Sequence, residues 1–147
     1  MSTPKRLLLV NGPNLNLLGT REPDVYGRET LADVEALVSS TASELDFDVR
    51  QVQSNHEGVL IDAIHAARED CVGIVINPGA FTHTSIALRD ALLAAELPVA
   101  EVHLSNVHRR EAFRHHSYVS DIAETVIVGA GIHGYAFAVQ QLVRVIG

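Results

Sequence analysis

Glu101 and His103, in the stretch AEVHLSN, stand two residues apart, and in an extended strand that spacing puts both side chains on one face within pairing reach. A carboxylate that accepts from one imidazole nitrogen fixes the ring's tautomer and raises its basicity, which suits a general acid or base. A structural histidine satisfied by a neighbouring glutamate fits the same spacing. A charged pair among Val, Ala and Leu is nevertheless costly to bury unless it is paired or functional, and this favours chemistry. A second grouping lies in LGTREPDVYG, Leu18 to Gly27, where Arg21 and Tyr26 share a loop bracketed by Gly19 and Gly27 and interrupted by Pro23. Solubility and a turn would need neither side chain. Arg21, and Arg114 in REAFRHHSY, carry guanidinium groups that match a carboxylate in bidentate geometry. Beside Asn77, Ser105 and the Pro78-Gly79 turn they point to a small, hydroxylated, anionic substrate.

Other groupings carry less. His83, His103, His108, His115, His116 and His133 are numerous, but no H-E-x-x-H pair or triad at ligand spacing occurs, so no metal site is expected. The glycines of GAGIHG match G-x-G-x-x-G once, yet they follow the last strand pattern with no room for a further strand and its acidic ribose ligand, so tight helix packing is the expected role. Cys71 is the only cysteine, which excludes an internal disulfide and reads as a small, partly buried hydrophobe. A formal charge of −7 over 147 residues argues against a general nucleic-acid surface, so the basic residues act locally. With 47% hydrophobic and 20% charged residues, and no apolar run near the ~20 residues that span a bilayer, the chain reads as a globular, cytoplasmic protein without a membrane segment or signal-peptide core.

The elements that must position these groups follow from periodicity. Arg6 to Val10 is a short apolar run ended by the breakers Asn11 to Asn14 and predicts a buried strand. Apolar residues at Leu31, Val34, Leu37 and Val38 predict a helix to about Leu45, with Thr30 and Asp33 as its cap and acidic partner. Strands are expected at 48–53, 72–76, 99–104 and 125–128, and helices over 59–67, 84–95 and 134–146. Strands alternating with helices imply right-handed crossovers and one parallel sheet covered on both faces. The expected fold is therefore a single domain, residues 1–147, of the α/β class: a flavodoxin-like, doubly wound, five-stranded parallel sheet in the order 2-1-3-4-5. In such sheets ligands bind outside the carboxyl ends of the strands, near the switch point. Asn11, Asn14, Ser54, Asn55, His56, Asn77, His83, His103, Ser105 and Asn106 all collect at that end, although turn and cap preferences alone place some of them there.

The blocks NGPNLNLLGTREPDVYG, QSNHEG, INPGAFTHTSIALRDA, EVHLSNVHRREAFRHHSYVS and GAGIHGY, in order and spanning nearly the whole chain, resemble the signature blocks of the type II 3-dehydroquinate dehydratases. The resemblance implies cofactor-free removal of water from 3-dehydroquinate to give 3-dehydroshikimate through an enolate, a step of the shikimate pathway of aromatic amino-acid biosynthesis. It further implies that Tyr26 takes the proton from carbon 2, that Arg21 stabilises the tyrosinate and the transition state, and that Asn14 helps hold the enolate through a water. By the same resemblance His103 protonates the departing carbon-1 hydroxyl with Glu101 orienting it, and Asn77, His83, Leu104, Ser105 and Arg114 bind substrate. Asp90 matches a residue inserted into the neighbouring subunit's site, within a homododecamer of four trimers. Phe81 and Leu104 depart from commoner residues and bear only on pocket shape.

The physical demands of that reaction fit these residue types. A proton beside a ketone is a weak acid, so its removal needs a strong base and a way to hold the enolate. A free tyrosine has a pKa near ~10, and a close arginine is a cation that stays protonated while favouring the tyrosinate. Gly19 and Gly27 suit the ends of a lid that carries this base over the substrate and excludes water. The competing reading is a non-catalytic flavodoxin-like module that binds flavin or a phosphorylated ligand.

Overall fold

The computed structural model describes residues 3–20, 24 and 27–147. Five strands form one parallel sheet: β1 Lys5–Asn11, β2 Phe47–Gln53, β3 Gly73–Asn77, β4 Val99–His103 and β5 Thr125–Val128. Their order is 2-1-3-4-5, the flavodoxin-like order expected. Because β1 lies between β2 and β3, Asn11 pairs in register with Gln53 on one side and Asn77 on the other. The chain leaves β1 and β3 in opposite directions at this level, and this switch point opens a crevice.

The unbroken apolar run of β1 follows from its central place. Leu7 and Leu9 face one layer and Leu8 and Val10 the other, and all four are buried. The first layer is closed by α1 (Leu31–Glu44) and α4 (His133–Ile146), which supply Val34, Val38, Ala138, Val139 and Leu142. The second is closed by α2 (Glu57–Asp70) and α3 (Ile86–Ala95), with Leu60, Ile64, Leu88 and Leu92. Each Val, Leu or Ile side chain among these contributes about 1.5–3 kcal/mol on full burial. The edge strands β2 and β5 are only half-buried; β2 mixes polar with apolar residues accordingly, whereas β5 is apolar after Thr125.

Local signals explain several boundaries. Thr30 Oγ1 accepts from the Asp33 amide at 3.2 Å and Asp33 Oδ2 accepts from the Thr30 amide at 2.9 Å, the capping box that starts α1. α3 begins at Ile86 rather than Thr84, because a 3-10 turn occupies Gly79–His83 and Ser85 Oγ caps the Leu88 amide at 2.8 Å. α2 is longer than its apolar core, starting at Glu57, and α4 starts at His133. β4 stops at His103, since Leu104 turns out of the sheet and its carbonyl accepts from the Gly131 amide at 3.0 Å.

The strict alternation of strand and helix fails once. Between β4 and β5 no α-helix forms, and the chain instead makes three 3-10 turns, Val107–Arg109, Ala112–Arg114 and Ser120–Ile122. This stretch lacks a helical apolar stripe, and its polar residues serve the end of β4.

Two glycines are set by close approach. A Cβ on Gly12 would lie 2.2 Å from the Pro78 carbonyl oxygen, so the turns after β1 and β3 touch only because Gly12 has no side chain. A Cβ on Gly134 would meet Ile127 at 3.2 Å and Val102 at 3.4 Å, which matches the packing role expected of the glycine-rich segment. Cys71 is buried, and burial pushes its thiol up to about 11. Among the described residues no helix is long and apolar enough to cross a membrane.

Candidate active site

At the carboxyl end of the sheet a pocket collects Asn14 from the β1 turn, Asn77 from β3, His83 from the following 3-10 turn, His103 from β4, then Leu104, Ser105 and Arg114. These seven residues, spread over 101 positions of sequence from Asn14 to Arg114, are all among those predicted. Gly79, of the expected Pro-Gly turn, completes the wall together with Pro13, Leu15, Ala80, Val107 and Arg110, which were not foreseen.

Glu101 lies beneath the pocket and is fully buried. Its Oε2 accepts from His103 Nε2 at 2.5 Å, Ser117 Oγ at 2.9 Å and Thr82 Oγ1 at 3.0 Å, while Oε1 accepts from Ser120 Oγ at 2.5 Å. Burial pushes the carboxyl up, but the hydrogen bond and positive field of His103, then Ser120 and Ser117, outweigh it and hold the group below the usual carboxylate range. With Nε2 committed to the carboxylate, Nδ1 is the nitrogen of His103 available to a molecule in the pocket. The spacing of Glu101 and His103 predicts this pairing, and the geometry delivers it.

Asn77 is held at both ends of its amide. Nδ2 donates to the Tyr135 hydroxyl at 2.8 Å, and Oδ1 accepts from the Gly79 amide at 3.1 Å. The Tyr135 hydroxyl in turn donates to Asn11 Oδ1 at 2.7 Å, and burial pushes that phenol well above its ordinary value. Asn11 Nδ2 is buried without a hydrogen-bond partner among the described residues.

Asn14 sits at φ 69°, the left-handed region that asparagine tolerates better than most residues. Its amide donates to Asn55 Oδ1 at 2.9 Å, and Gln53 Nε2 donates to the Gly12 carbonyl at 3.1 Å. The block QSNHEG thus fixes the turn that carries Asn14. His83 is anchored by Nδ1 donating to the His116 carbonyl at 2.7 Å. Burial lowers its pKa, the bond to His116 opposes this, and the charges of His103 and Arg114 add to the lowering. A neutral His83 therefore offers Nε2 as an acceptor. Arg114 is half-buried, with Nε donating to Glu111 Oε2 at 2.6 Å.

The remaining predicted residues are not brought here. Asp90 is exposed on α3 and takes no part in the pocket of its own chain. Arg21 and Tyr26 lie outside the described residues, as does most of the expected lid, although its flanking Gly19 and Gly27 carry φ of 89° and 87°. Thr82, Ser117, Ser120 and Tyr135 were missed as supporting residues, whereas Asn55 was expected at this end of the sheet. Lone hydroxyls have no spacing rule, and only their quoted blocks hinted at them. No group of three or more His, Cys, Asp or Glu among the described residues could hold a metal ion.

The arrangement can donate or accept a proton at His103 Nδ1, offer a cation at Arg114, and orient polar groups of a small substrate. Residues 5–143 match the profile of the family described as Dehydroquinase class II. A catabolic 3-dehydroquinase of Pyricularia oryzae is 62% identical over 140 residues, covering 94% of this chain and 89% of that protein. A 3-dehydroquinate dehydratase of Corynebacterium glutamicum is 60% identical over 139 residues, covering 95% and 96%. The crystal structure of a type II dehydroquinase from Propionibacterium acnes is similar with a TM-score of 0.92 and 42% identity, covering 98% of this chain and 99% of that one.

Proposed function

The chain belongs to the class II dehydroquinase family and dehydrates 3-dehydroquinate as a hydro-lyase, and on that premise we propose which residues carry the steps. Tyr26, as tyrosinate beside Arg21, takes the proton from carbon 2, leaving an enolate that a water near Asn14 helps to hold. His103 then gives its Nδ1 proton to the carbon-1 hydroxyl as the carbon–oxygen bond breaks and the double bond of 3-dehydroshikimate forms. Hydroxide is a poor leaving group, so this proton is where the protein lowers the second barrier.

The observation that carries the reading is the buried Glu101–His103 pair, whose carboxylate is engaged below the pocket while the opposite ring nitrogen serves the pocket. Arg114 supplies the cation for the substrate carboxylate, Leu104 and Ser105 supply polar groups at its mouth, and Asn77 and His83 contact its hydroxyls. The alternative of a non-catalytic binding module gives way to the family assignment. We further propose residues 1–147 as one catalytic domain that needs no cofactor, works in the cytoplasm, and assembles into a dodecamer of four trimers in which Asp90 completes a neighbouring site. A fully active monomer in sedimentation would overturn that assembly.

His103→Ala tests the central step, with turnover followed by the ultraviolet absorbance of the conjugated enone carboxylate. Loss of general-acid help lowers kcat by ~10²- to 10⁴-fold with the fold retained. Unchanged kcat would move the acid role to another group.

A further inference from the structure

We propose that Thr82, Ser117 and Ser120 are positioning residues of the dehydration: their hydroxyls keep Glu101 an anion, so that the proton for the leaving hydroxyl resides on His103. The proposal rests on the reading of His103 as the acid. It accounts for the connection between β4 and β5, which replaces a crossover helix with 3-10 turns and brings two serines under the strand.

The hydroxyls arrive from separate segments. Thr82 comes from the turn after β3, Ser117 from the chain after Arg114, and Ser120 from the turn Ser120–Ile122. Thr82 and Ser117 are 2.5 Å apart as well as within 3.0 Å of Oε2, so the two act as one unit on that oxygen. Ser117 Oγ also accepts from the Val119 amide at 3.1 Å and the Ser120 amide at 3.3 Å, which leaves its one proton for Glu101 directly or for Thr82, whose own proton then goes to Glu101. Ser120 serves Oε1 separately at 2.5 Å.

Neutral donors suit this task better than a cation. An arginine or lysine at the same place would also keep the carboxylate ionised, but it would neutralise the charge that supports a protonated imidazole. Hydroxyls favour the anion and leave its charge for His103.

Among the described residues, the titratable and charged groups that face the pair are His83 from the turn after β3 and His108, Arg110, Arg114 and His115 from the segment after β4. The register neighbours of Glu101, Ile76 on β3 and Val126 on β5, and of His103, Val128 on β5, add no charge. All of these stay in place when a hydroxyl is removed.

Ser120→Ala and Thr82→Val remove one hydroxyl each, the second with almost no change of shape. Two readouts are taken on the assembled enzyme: the pH profile of kcat, and the titration of the His103 ring followed by NMR. A carboxylate with one donor fewer binds protons more tightly, so each proton-binding step of the pair moves to higher pH, by about one unit. A pair that holds its proton more tightly is a weaker acid, so kcat on the plateau of the profile falls by up to about tenfold while KM holds, one unit being a tenfold change in the equilibrium. Ser120→Thr restores both readouts. If kcat falls while profile and ring titration stay in place, the hydroxyls serve packing alone and the proposal is overturned. If the ring titration moves but the kcat profile does not, His103 is not the acid, and the reaction role of the hydroxyls falls with it.

Discussion

Glu101→Gln isolates the charge beneath the site from the shape around it. Glutamine can place its oxygen where Oε2 now lies and still accept from His103, Thr82 and Ser117. Its amide nitrogen then takes the place of Oε1, where the Ser120 hydroxyl turns from donor to acceptor. The hydrogen-bond count survives, so the fold is retained and the ring keeps its orientation. The negative charge is lost. At an effective dielectric of ~20, two unit charges about 4 Å apart attract by roughly 4 kcal/mol, which corresponds to about a 10³-fold change in the population of protonated ring. That magnitude falls inside the ~10²- to 10⁴-fold range of general-acid help, so kcat at neutral pH falls about 10²- to 10³-fold, and part of the loss returns as the pH is lowered. The assay is steady-state turnover from pH 5 to 9, with circular dichroism to establish that the variant folds. A folded variant within tenfold of the parent at neutral pH would refute the claim that this charge supports the acid.

Gly12→Ala forces a methyl to within 2.2 Å of the Pro78 carbonyl oxygen, so the two turns at the switch point must part. The cost lies at the upper end of the ~1–3 kcal/mol of overpacking, which lowers Tm by roughly 6–12 °C in a differential scan. Tyr26→Phe nearly abolishes turnover while a substrate analogue still binds by calorimetry, and a bound analogue protects the Gly19–Gly27 loop from limited proteolysis; normal turnover would make Arg21 and Tyr26 ordinary loop residues. Stability to urea declines in two steps on acidification. Burial lowers the pKa of His83, so below its ordinary 6.5 the unfolded chain gains the proton first and stability falls; His83→Gln removes this step. Glu101 is held below its ordinary 4.5, so its contribution is complete above that value and is lost as the pH falls toward the folded one.

Local pattern determined much of this protein. The run RLLLV is apolar at every position because β1 is covered on both faces, and Thr30 with Asp33 marks a helix start through bonds that span three residues. The parallel sheet followed from those elements, since crossover connections admit few arrangements. Glu101 and His103 were legible because two residues in a strand share a face, a relation that needs no knowledge of the fold. Asn14 and Asn77 were legible through the rule that ligands meet the carboxyl ends of parallel strands, and Arg114 through its anion-binding chemistry and the family resemblance; the sheet order then brings the three to one pocket. No helix was expected between β4 and β5, but the three 3-10 turns that join them were not legible, because a polar stretch without period is compatible with many paths. Thr82, Ser117 and Ser120 illustrate the limit. A hydroxyl becomes a carboxylate's partner only through its position in space, and here the distances of 2.5 to 3.0 Å to Glu101 join residues 16 to 19 positions apart through turns that no short-range signal specifies. Periodicity records which face of an element is buried, whereas the protonation of a buried pair depends on every donor the tertiary fold brings to it.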